Sequence, residues 1–125
     1  MKVLIVDDSE AVRVQLKAAL VQAAFDIVEA ADGNEGLAKI LATPDLALVI
    51  TDYNMPGMDG IAMLQKVKEK YGTFPFPVLI LTTETSTTLK QQGKVLGVTA
   101  WINKPFPGPK LVEAVKKVTA AKKVA

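Results

Sequence analysis

Polar side chains that can take part in chemistry follow four of the five short apolar runs in this 125-residue chain. Asp7 and Asp8 come after the first run, Asp52 after the third, Thr82 after the fourth and Lys104 after the fifth. An aspartate can accept a phosphoryl group as an acyl phosphate, and carboxylates together with phosphate oxygens are common ligands of Mg²⁺. These residue types therefore suit magnesium-dependent phosphoryl transfer, provided that the fold brings them together.

Lys104 and Thr82 could supply the positive charge and the hydrogen-bond donor that the carboxylates lack. The transition state of phosphoryl transfer spreads negative charge over its equatorial oxygens, so catalysis depends mainly on placing cations and donors. The Lys104 ammonium would add positive charge beside the metal, and the Thr82 hydroxyl could donate to a phosphoryl oxygen. Taken singly, Thr82 would be an ordinary turn residue and Lys104 a solvated lysine. Asp7 and Asp8 could likewise only complement a helix dipole, so the prediction requires that all of these side chains converge.

The elements that must position these residues are predicted from the spacing of apolar side chains. Five apolar runs are typical of buried strands, and they cover residues 2–6, 27–30, 47–51, 78–81 and 98–102. Helical spacing is found between them, in residues 9–23, 33–42, 61–71 and 86–96, and again from about 107–109 onwards. The fourth helix is predicted to be weak because it contains two threonines and Gly93. The last helix is expected to bury Leu111, Val115 and Val118.

Strands that alternate regularly with helices indicate a parallel sheet covered by helices on both faces. Right-handed crossovers leave few arrangements, and the expected one is the doubly wound, flavodoxin-like α/β fold with strand order 2-1-3-4-5. We expect residues 1–125 to form a single domain. Parallel strands bring their carboxyl ends to one edge, where strands 1 and 3 are neighbours in this order. The carboxylates of Asp7, Asp8 and Asp52 would then crowd together and require a compensating cation.

Composition excludes several other kinds of site. The chain has no cysteine and no histidine, so it can form no disulfide, no thiolate or imidazole zinc site and no serine–histidine pair. Its formal net charge of +2 does not predict nucleic-acid binding. The first apolar run soon ends at two acids, which makes it too short for a signal peptide or a membrane span. A cytoplasmic protein is therefore expected, with no direct contact to membrane or nucleic acid.

Four segments together resemble the signature blocks of CheY-like receiver domains, the phosphorylated domains of two-component signalling. They are VLIVDDS at residues 3–9, TDYNMPGMDG at 51–60, LTTE at 81–84 and KPF at 104–106. Each block alone would be weak support, but the four occur in the order and spacing of the family and cover essentially the whole chain. The chain thus resembles a receiver domain, and its motifs are most similar to those of chemotaxis response regulators.

The resemblance implies a role for each matching position in the site. Asp52 matches the phosphoacceptor, which also contributes to the metal site. Asp7 and Asp8 match the acidic pair that binds Mg²⁺, with Asp8 as the more direct ligand. Thr82 and Lys104 match the residues that engage the phosphoryl group.

Four further positions match residues that modify this behaviour in the family. The backbone carbonyl of Asn54 would complete the metal site, and the side chains of Asn54 and Glu84 would set how fast the acyl phosphate hydrolyses. Trp101 occupies the place of an aromatic residue that the family couples to the threonine, where Tyr or Phe is commoner. Ordinary packing is the alternative role of this tryptophan. The peptide bond before Pro105 is usually cis in the family.

The same resemblance implies the partners and the output. A sensor histidine kinase or a small phosphodonor would phosphorylate Asp52, and the new charge would shift a two-state equilibrium. The weak fourth helix would move, and the face formed by that helix, the fifth strand and the last helix would bind a target protein. Asn54 and Glu84 resemble the chemotaxis end of the family, so motor control is the expected output. The chain would act as a monomer and catalyse only its own phosphorylation and dephosphorylation.

Other functions remain as alternatives at this point. The chain could be the receiver part of a larger transcriptional regulator or hybrid kinase, since such a piece would look the same. A phosphatase of the haloacid dehalogenase type also uses a strand-end aspartate, but its second aspartate corresponds to Asn54, which cannot transfer a proton in that way. A flavin carrier would need a phosphate loop where Asp7 and Asp8 place negative charge. A scaffolding module is disfavoured because no residue expected for phosphoryl chemistry is missing.

Overall fold

The computed structural model describes residues 1–124, with the side chains of residues 1–120. Within this part of the chain, five strands alternate with five helices. The strands are β1 (Lys2–Val6), β2 (Asp26–Ala30), β3 (Leu46–Thr51), β4 (Val78–Thr82) and β5 (Ala100–Asn103). The helices are α1 (Glu10–Gln22), α2 (Gly33–Ala42), α3 (Gly60–Tyr71), α4 (Thr87–Leu96) and α5 (Gly108–Val124). The described part of the chain contains no helix with the length and hydrophobicity that a membrane span requires.

All five strands pair in parallel, in the order β2-β1-β3-β4-β5. This order confirms the doubly wound α/β fold that the sequence predicts. The last residues of β1 and β3 pair with each other, so that Asp7 and Asp52 leave the sheet side by side. The last residues of β4 and β5 pair likewise, which places Lys104 at the same edge.

The central strands β1, β3 and β4 are buried because helices cover each face of the sheet, whereas β2 and β5 at its edges are only partly buried. On one face α1 and α5 pack against the strands through residues such as Leu20 and Leu111. On the other face α2 and α3 do so through residues such as Ile40 and Leu64. These four side chains are at most 1% exposed, and full burial of such a side chain contributes about 1.5–3 kcal/mol. The two cores hold the strand ends, and the polar residues that follow them, in fixed positions.

Polar caps fix where the first four helices begin. Asp32 is the N-cap of α2, and its side chain accepts the N–H of Glu35. Ser9, Asp59 and Ser86 are the N-caps of α1, α3 and α4, and the side chain of each accepts the backbone N–H three residues further on. The loops that end at these caps follow β1, β3 and β4, so the caps also fix the segments that carry the candidate site.

The fifth strand begins two residues later than the sequence predicts. The apolar run starts at Val98, but the backbone N–H groups of Gly97 and Val98 both donate to the carbonyl of Gly93 and close the end of α4. Gly97 has a φ of 106°, in the left-handed region that favours glycine at such helix ends. The end of the helix therefore uses residues that the apolar pattern assigns to the strand. The bounds of the other four strands differ from the prediction by at most one residue.

The buried face of α5 also differs from the prediction at one position. Leu111 and Val115 are buried as expected, but Val118 is only half-buried and Thr119 lies in the core instead. The Thr119 hydroxyl donates to the carbonyl of Val115 at 2.8 Å. A threonine can occupy this buried position because its own helix satisfies the hydroxyl.

Candidate functional site

Three carboxylates meet at the edge of the sheet where β1 and β3 end. Asp7, Asp8 and Asp52 each offer one oxygen atom, and these three atoms lie within 4.8 Å of one another. Asp7 and Asp52 are buried, whereas Asp8 is exposed. Hard oxygen ligands at this separation can share one divalent cation, and the exposed Asp8 leaves room for water on the cation.

Lys104 balances part of this negative charge. Its Nζ lies 2.7 Å from Asp7 Oδ2 and 3.0 Å from Asp52 Oδ2, and its side chain is 16% exposed. Three carboxylates and one ammonium leave two negative charges, which a single divalent cation would balance. The structure thus brings together four side chains that lie as far as 97 positions apart in the sequence. The peptide bond between Lys104 and Pro105 is cis, as the family resemblance implies.

The pKa values of both partners in the closest of these contacts are raised, that of Asp7 by burial and that of Lys104 by its hydrogen bonds. Desolvation raises the pKa of Asp7, and hydrogen bonds from Lys104 and Ser9 offset only part of this effect. Desolvation alone would lower the pKa of Lys104, but its hydrogen bonds to Asp7 and Asp52 outweigh it, so this pKa is raised. Lys104 therefore stays charged at neutral pH. Its contribution to stability is lost only as the pH rises through this raised pKa.

Backbone N–H groups orient the two buried carboxylates. Asp7 Oδ1 accepts the N–H of Ser9 at 2.9 Å, and Asp52 Oδ1 accepts the N–H of Asn54 at 3.3 Å. Each of these aspartates therefore holds one oxygen against a backbone donor and the other against Lys104. The side chain of Asn54 is exposed, and the role of its carbonyl as a metal ligand stays a prediction.

The first residue of α3 packs directly against the backbone of Asp52. A Cβ at Gly60 would overlap the carbonyl oxygen of Asp52, so no larger residue fits here without a shift of the loop. The N–H of Gly60 also donates to the carbonyl of Tyr53 at 2.8 Å. Gly60 is the last residue of the sequence block at 51–60, but the sequence does not reveal that it lets α3 approach Asp52.

Thr82 lies at the same edge and is fully buried, but its side chain is engaged with the loop that follows β4. Its hydroxyl oxygen accepts the N–H of Glu84 at 3.3 Å, while its carbonyl accepts the N–H of Lys104 at 2.8 Å. The Glu84 carboxylate in turn accepts the N–H groups of Thr85 and Ser86 at 3.1 Å. Thr82 therefore connects the Lys104 backbone to the loop that begins α4. Its predicted contact with a phosphoryl group stays a prediction, as does the effect of Glu84 on hydrolysis.

Trp101 is attached to the same loop. Its Nε1 donates to the carbonyl of Glu84 at 3.0 Å, and its ring centroid lies 6.3 Å from that of Tyr53. Gly93 in α4 faces the indole, and a Cβ there would meet the ring at an ordinary contact distance of 3.4 Å. These contacts support the packing role of Trp101, and a switching role stays a prediction.

Arg13 is a residue beside the site that the sequence analysis missed. Its Nη1 donates to the carbonyl of Asp7 at 2.6 Å from the first turns of α1. A basic side chain near the positive end of a helix dipole is unfavourable unless a specific partner compensates for it. This conflict between residue and position was the signal available in the sequence.

The strand order makes the molecule a doubly wound α/β protein, and its acidic cluster lies between β1 and β3, where the strand order reverses and where such folds commonly bind ligands. A family model described as the response regulator receiver domain matches residues 3–116. The chain therefore belongs to the response regulator receiver domain family, which confirms the interpretation of its four sequence blocks. Domains of this family are phosphorylatable modules of signalling proteins.

Three known proteins show what the chain resembles in detail. The probable chemotaxis protein CheY of Rhizobium etli is 40% identical over 124 residues, which are 98% of this chain and 95% of the relative. A structure of the chemotaxis protein CheY4 of Vibrio cholerae has a TM-score of 0.85 at 39% identity, with 94% of this chain and 97% of that chain covered. A chain in the CheX–CheY–BeF₃–Mg²⁺ complex of Borrelia burgdorferi has a TM-score of 0.86 at 31% identity, with 94% and 88% covered.

Proposed function

We propose that this chain is a response regulator that accepts a phosphoryl group on Asp52 in a Mg²⁺-dependent reaction and then changes its affinity for a target protein. The position of the Asp52 carboxylate is the observation that carries the proposal. This buried carboxylate contacts the ammonium of Lys104 and shares a potential ion site with Asp7 and Asp8. The Lys104 ammonium and a bound cation would therefore stabilise the negative charge of a phosphoryl group transferred to Asp52.

Mg²⁺ is the cation that suits this site best. All of the side-chain ligands are hard oxygens, and the exposed Asp8 allows the ion to keep several of its waters, as Mg²⁺ prefers. The proposed ligands are Asp7, Asp8, Asp52 and the backbone carbonyl of Asn54. When bound, the ion would balance the remaining negative charge and polarise the oxygens of an incoming phosphoryl group.

In the transfer step, a carboxylate oxygen of Asp52 attacks the phosphorus of the donor. A P–O bond to Asp52 forms while the bond to the leaving group breaks, and the leaving group departs with the electron pair. Lys104 would stabilise the negative charge on the equatorial oxygens, because its ammonium already lies 3.0 Å from Asp52 Oδ2. The Thr82 hydroxyl would turn from the N–H of Glu84 towards a phosphoryl oxygen, which couples the site to the loop before α4.

Membership of the receiver family supports the proposal for the phosphodonor and the output. A sensor histidine kinase or a small phosphodonor would supply the phosphoryl group to the monomeric, cytoplasmic chain. A target protein would then bind the face formed by α4, β5 and α5. Asn54 and Glu84 would set the lifetime of the acyl phosphate, and the chain would turn over no other substrate. Because chemotaxis proteins match it over nearly their full length, we assign the output to control of a flagellar motor.

Incubation with acetyl phosphate and Mg²⁺, followed by intact-mass measurement, tests the role of Asp52. We expect the wild type to gain the mass of one phosphoryl group and Asp52→Asn to gain none. Asp45→Asn is the matched control, because Asp45 is exposed and paired with Lys2 at the opposite end of the sheet. This control should be phosphorylated like the wild type. Equal phosphorylation of Asp52→Asn and the wild type would remove the proposal.

Binding to a flagellar switch peptide tests the chemotaxis output. We expect tighter binding when beryllofluoride and Mg²⁺ are present than when they are absent. Equally weak binding in both conditions would contradict the chemotaxis output. It would not contradict the phosphorylation of Asp52, which the mass measurement tests separately.

A further inference from the structure

Arg13 forms a bridge between α1, β2 and the loop that carries the acidic pair. One guanidinium nitrogen, Nη1, donates to the backbone carbonyl of Asp7 at 2.6 Å. Another, Nε, donates to Glu29 Oε1 in β2 at 3.3 Å. The arginine side chain is only 16% exposed, so solvent screens these two contacts less than it would at the surface. The planar guanidinium holds both partners at once, which a lysine could not do equally well.

The carbonyl that Arg13 holds belongs to the peptide unit that joins Asp7 to Asp8. Asp7 is fixed in other ways as well. Its N–H donates to the carbonyl of Ala30, and its carboxylate accepts the N–H of Ser9 and the ammonium of Lys104. Asp8 has an exposed side chain, and no such contact of its carboxylate is found among the described residues. This peptide unit therefore fixes the backbone position from which the Asp8 carboxylate extends towards the ion site.

We propose that Arg13 is a positioning residue of the metal site, which holds the Asp7–Asp8 peptide so that Asp8 faces the ion, with Glu29 orienting the guanidinium. This inference rests on the proposed function, because it assumes that Asp7, Asp8 and Asp52 bind Mg²⁺. Removal of a group that hydrogen-bonds to a metal ligand and orients it commonly weakens metal affinity by about 10–100-fold.

The charge of Arg13 makes the inference unusually easy to test. If Arg13 acted only through its charge, its removal would strengthen the binding of a cation, because a nearby positive charge repels Mg²⁺. If Arg13 acts by orienting the peptide, its removal weakens the binding. The two explanations therefore predict changes of opposite sign.

Calorimetric titration of the full chain with MgCl₂ at neutral pH measures this difference. For Arg13→Met, which keeps an unbranched apolar stem, we expect the dissociation constant of Mg²⁺ to rise about tenfold. Lys17→Met is the matched control: it removes the same charge from the same helix and the same partner Glu29, but Lys17 is exposed and contacts that carboxylate at 3.5 Å. We expect its Mg²⁺ affinity to equal or slightly exceed that of the wild type.

An unchanged or tighter Mg²⁺ affinity in Arg13→Met would overturn the inference, and so would an equal loss in Lys17→Met. Thermal unfolding without Mg²⁺ is measured in parallel, because a merely structural role would lower the unfolding temperature and leave the affinity unchanged. If Arg13→Met does not fold, Arg13→Lys replaces it. That variant keeps the charge, so a several-fold weaker affinity supports the inference and an unchanged affinity contradicts it.

Two further titrations separate this inference from the proposed function. The wild type should bind Mg²⁺, and Asp8→Asn should bind it much more weakly. A wild type that binds no Mg²⁺ would contradict the proposed metal site and the inference with it. Normal binding in the wild type, loss in Asp8→Asn and no change in Arg13→Met would contradict the role of Arg13 alone.

Discussion

At the scale of single residues, Asp7 and Asp52 are held alike. One oxygen of each carboxylate accepts a backbone N–H, and the other accepts the ammonium of Lys104. A carboxylate oxygen can accept more than one partner, so both groups remain able to bind a cation without losing these bonds. The carboxylates are thus oriented before any ligand binds, which reduces the free-energy cost of reorienting them on binding.

Trp101 allows a prediction at this scale, because its indole N–H is bound to the carbonyl of Glu84. A phenylalanine cannot donate this hydrogen bond and fills less of the space below Gly93. For Trp101→Phe we expect the free energy of unfolding to fall by about 1 kcal/mol. We also expect faster hydrogen exchange in the loop between β4 and α4. Urea unfolding and exchange mass spectrometry measure these effects.

Tyr71→Phe is the control for this substitution, because Tyr71 is 41% exposed at the end of α3. Its stability and exchange pattern should match those of the wild type. If Trp101→Phe behaved like this control, the tryptophan would not be what holds the loop.

At the scale of helices and strands, the sequence predicts the order of elements well because each buried strand is a continuous apolar run. It also predicts that Asp7, Asp8, Asp52 and Lys104 converge, since parallel strands end at one edge. The sequence does not predict the features that depend on backbone geometry. The late start of β5 follows from a helix end that apolar patterning does not reveal. The position of basic Arg13 near the start of α1 was a signal, but its partner is a backbone carbonyl, which no sequence pattern identifies.

Gly60 provides the prediction at this scale, because α3 reaches the Asp52 backbone only through a residue without a side chain. In Gly60→Ala the new methyl group must displace the loop after β3. We expect a loss of about 1–3 kcal/mol in the free energy of unfolding, as is usual for overpacking, together with slower phosphorylation by acetyl phosphate.

Gly108→Ala is the matched control, because a Cβ at Gly108 meets only Ala19 at an ordinary 3.8 Å. This variant should be as stable as the wild type or slightly more stable, since alanine restricts the unfolded chain. Equal phosphorylation rates and stabilities in the two variants would show that the close approach of α3 is unimportant.

At the scale of the whole molecule, two cores hold together a site whose charges oppose folding. Three carboxylates share one edge of the sheet with one ammonium, and burial of the Asp7 carboxylate raises its pKa, which shows that its charged form is disfavoured there. A ligand that binds the folded state alone stabilises it by mass action. The stability of the fold should therefore depend on the divalent cation that the site binds.

Addition of Mg²⁺ is expected to stabilise the protein by about 2.7 kcal/mol at a concentration about a hundred times its dissociation constant. For a chain of this size, this corresponds to a rise of several degrees in the unfolding temperature. A chelator should reverse the effect. Asp8→Asn should lose most of it, whereas Asp26→Asn, which changes an exposed residue at the far end of β2, should keep it. A response that Asp8→Asn retains in full would place the cation elsewhere.

The central claim is that Asp52, and no other carboxylate of the cluster, receives the phosphoryl group when Mg²⁺ is present. Borohydride reduces an acyl phosphate to the alcohol, so treatment after acetyl phosphate converts the modified aspartate to homoserine, which peptide mass spectrometry can locate. We predict homoserine at residue 52 in samples with Mg²⁺ and none in samples with a chelator. Homoserine at residue 7 or 8 instead, or an equal yield without the metal, would contradict the account.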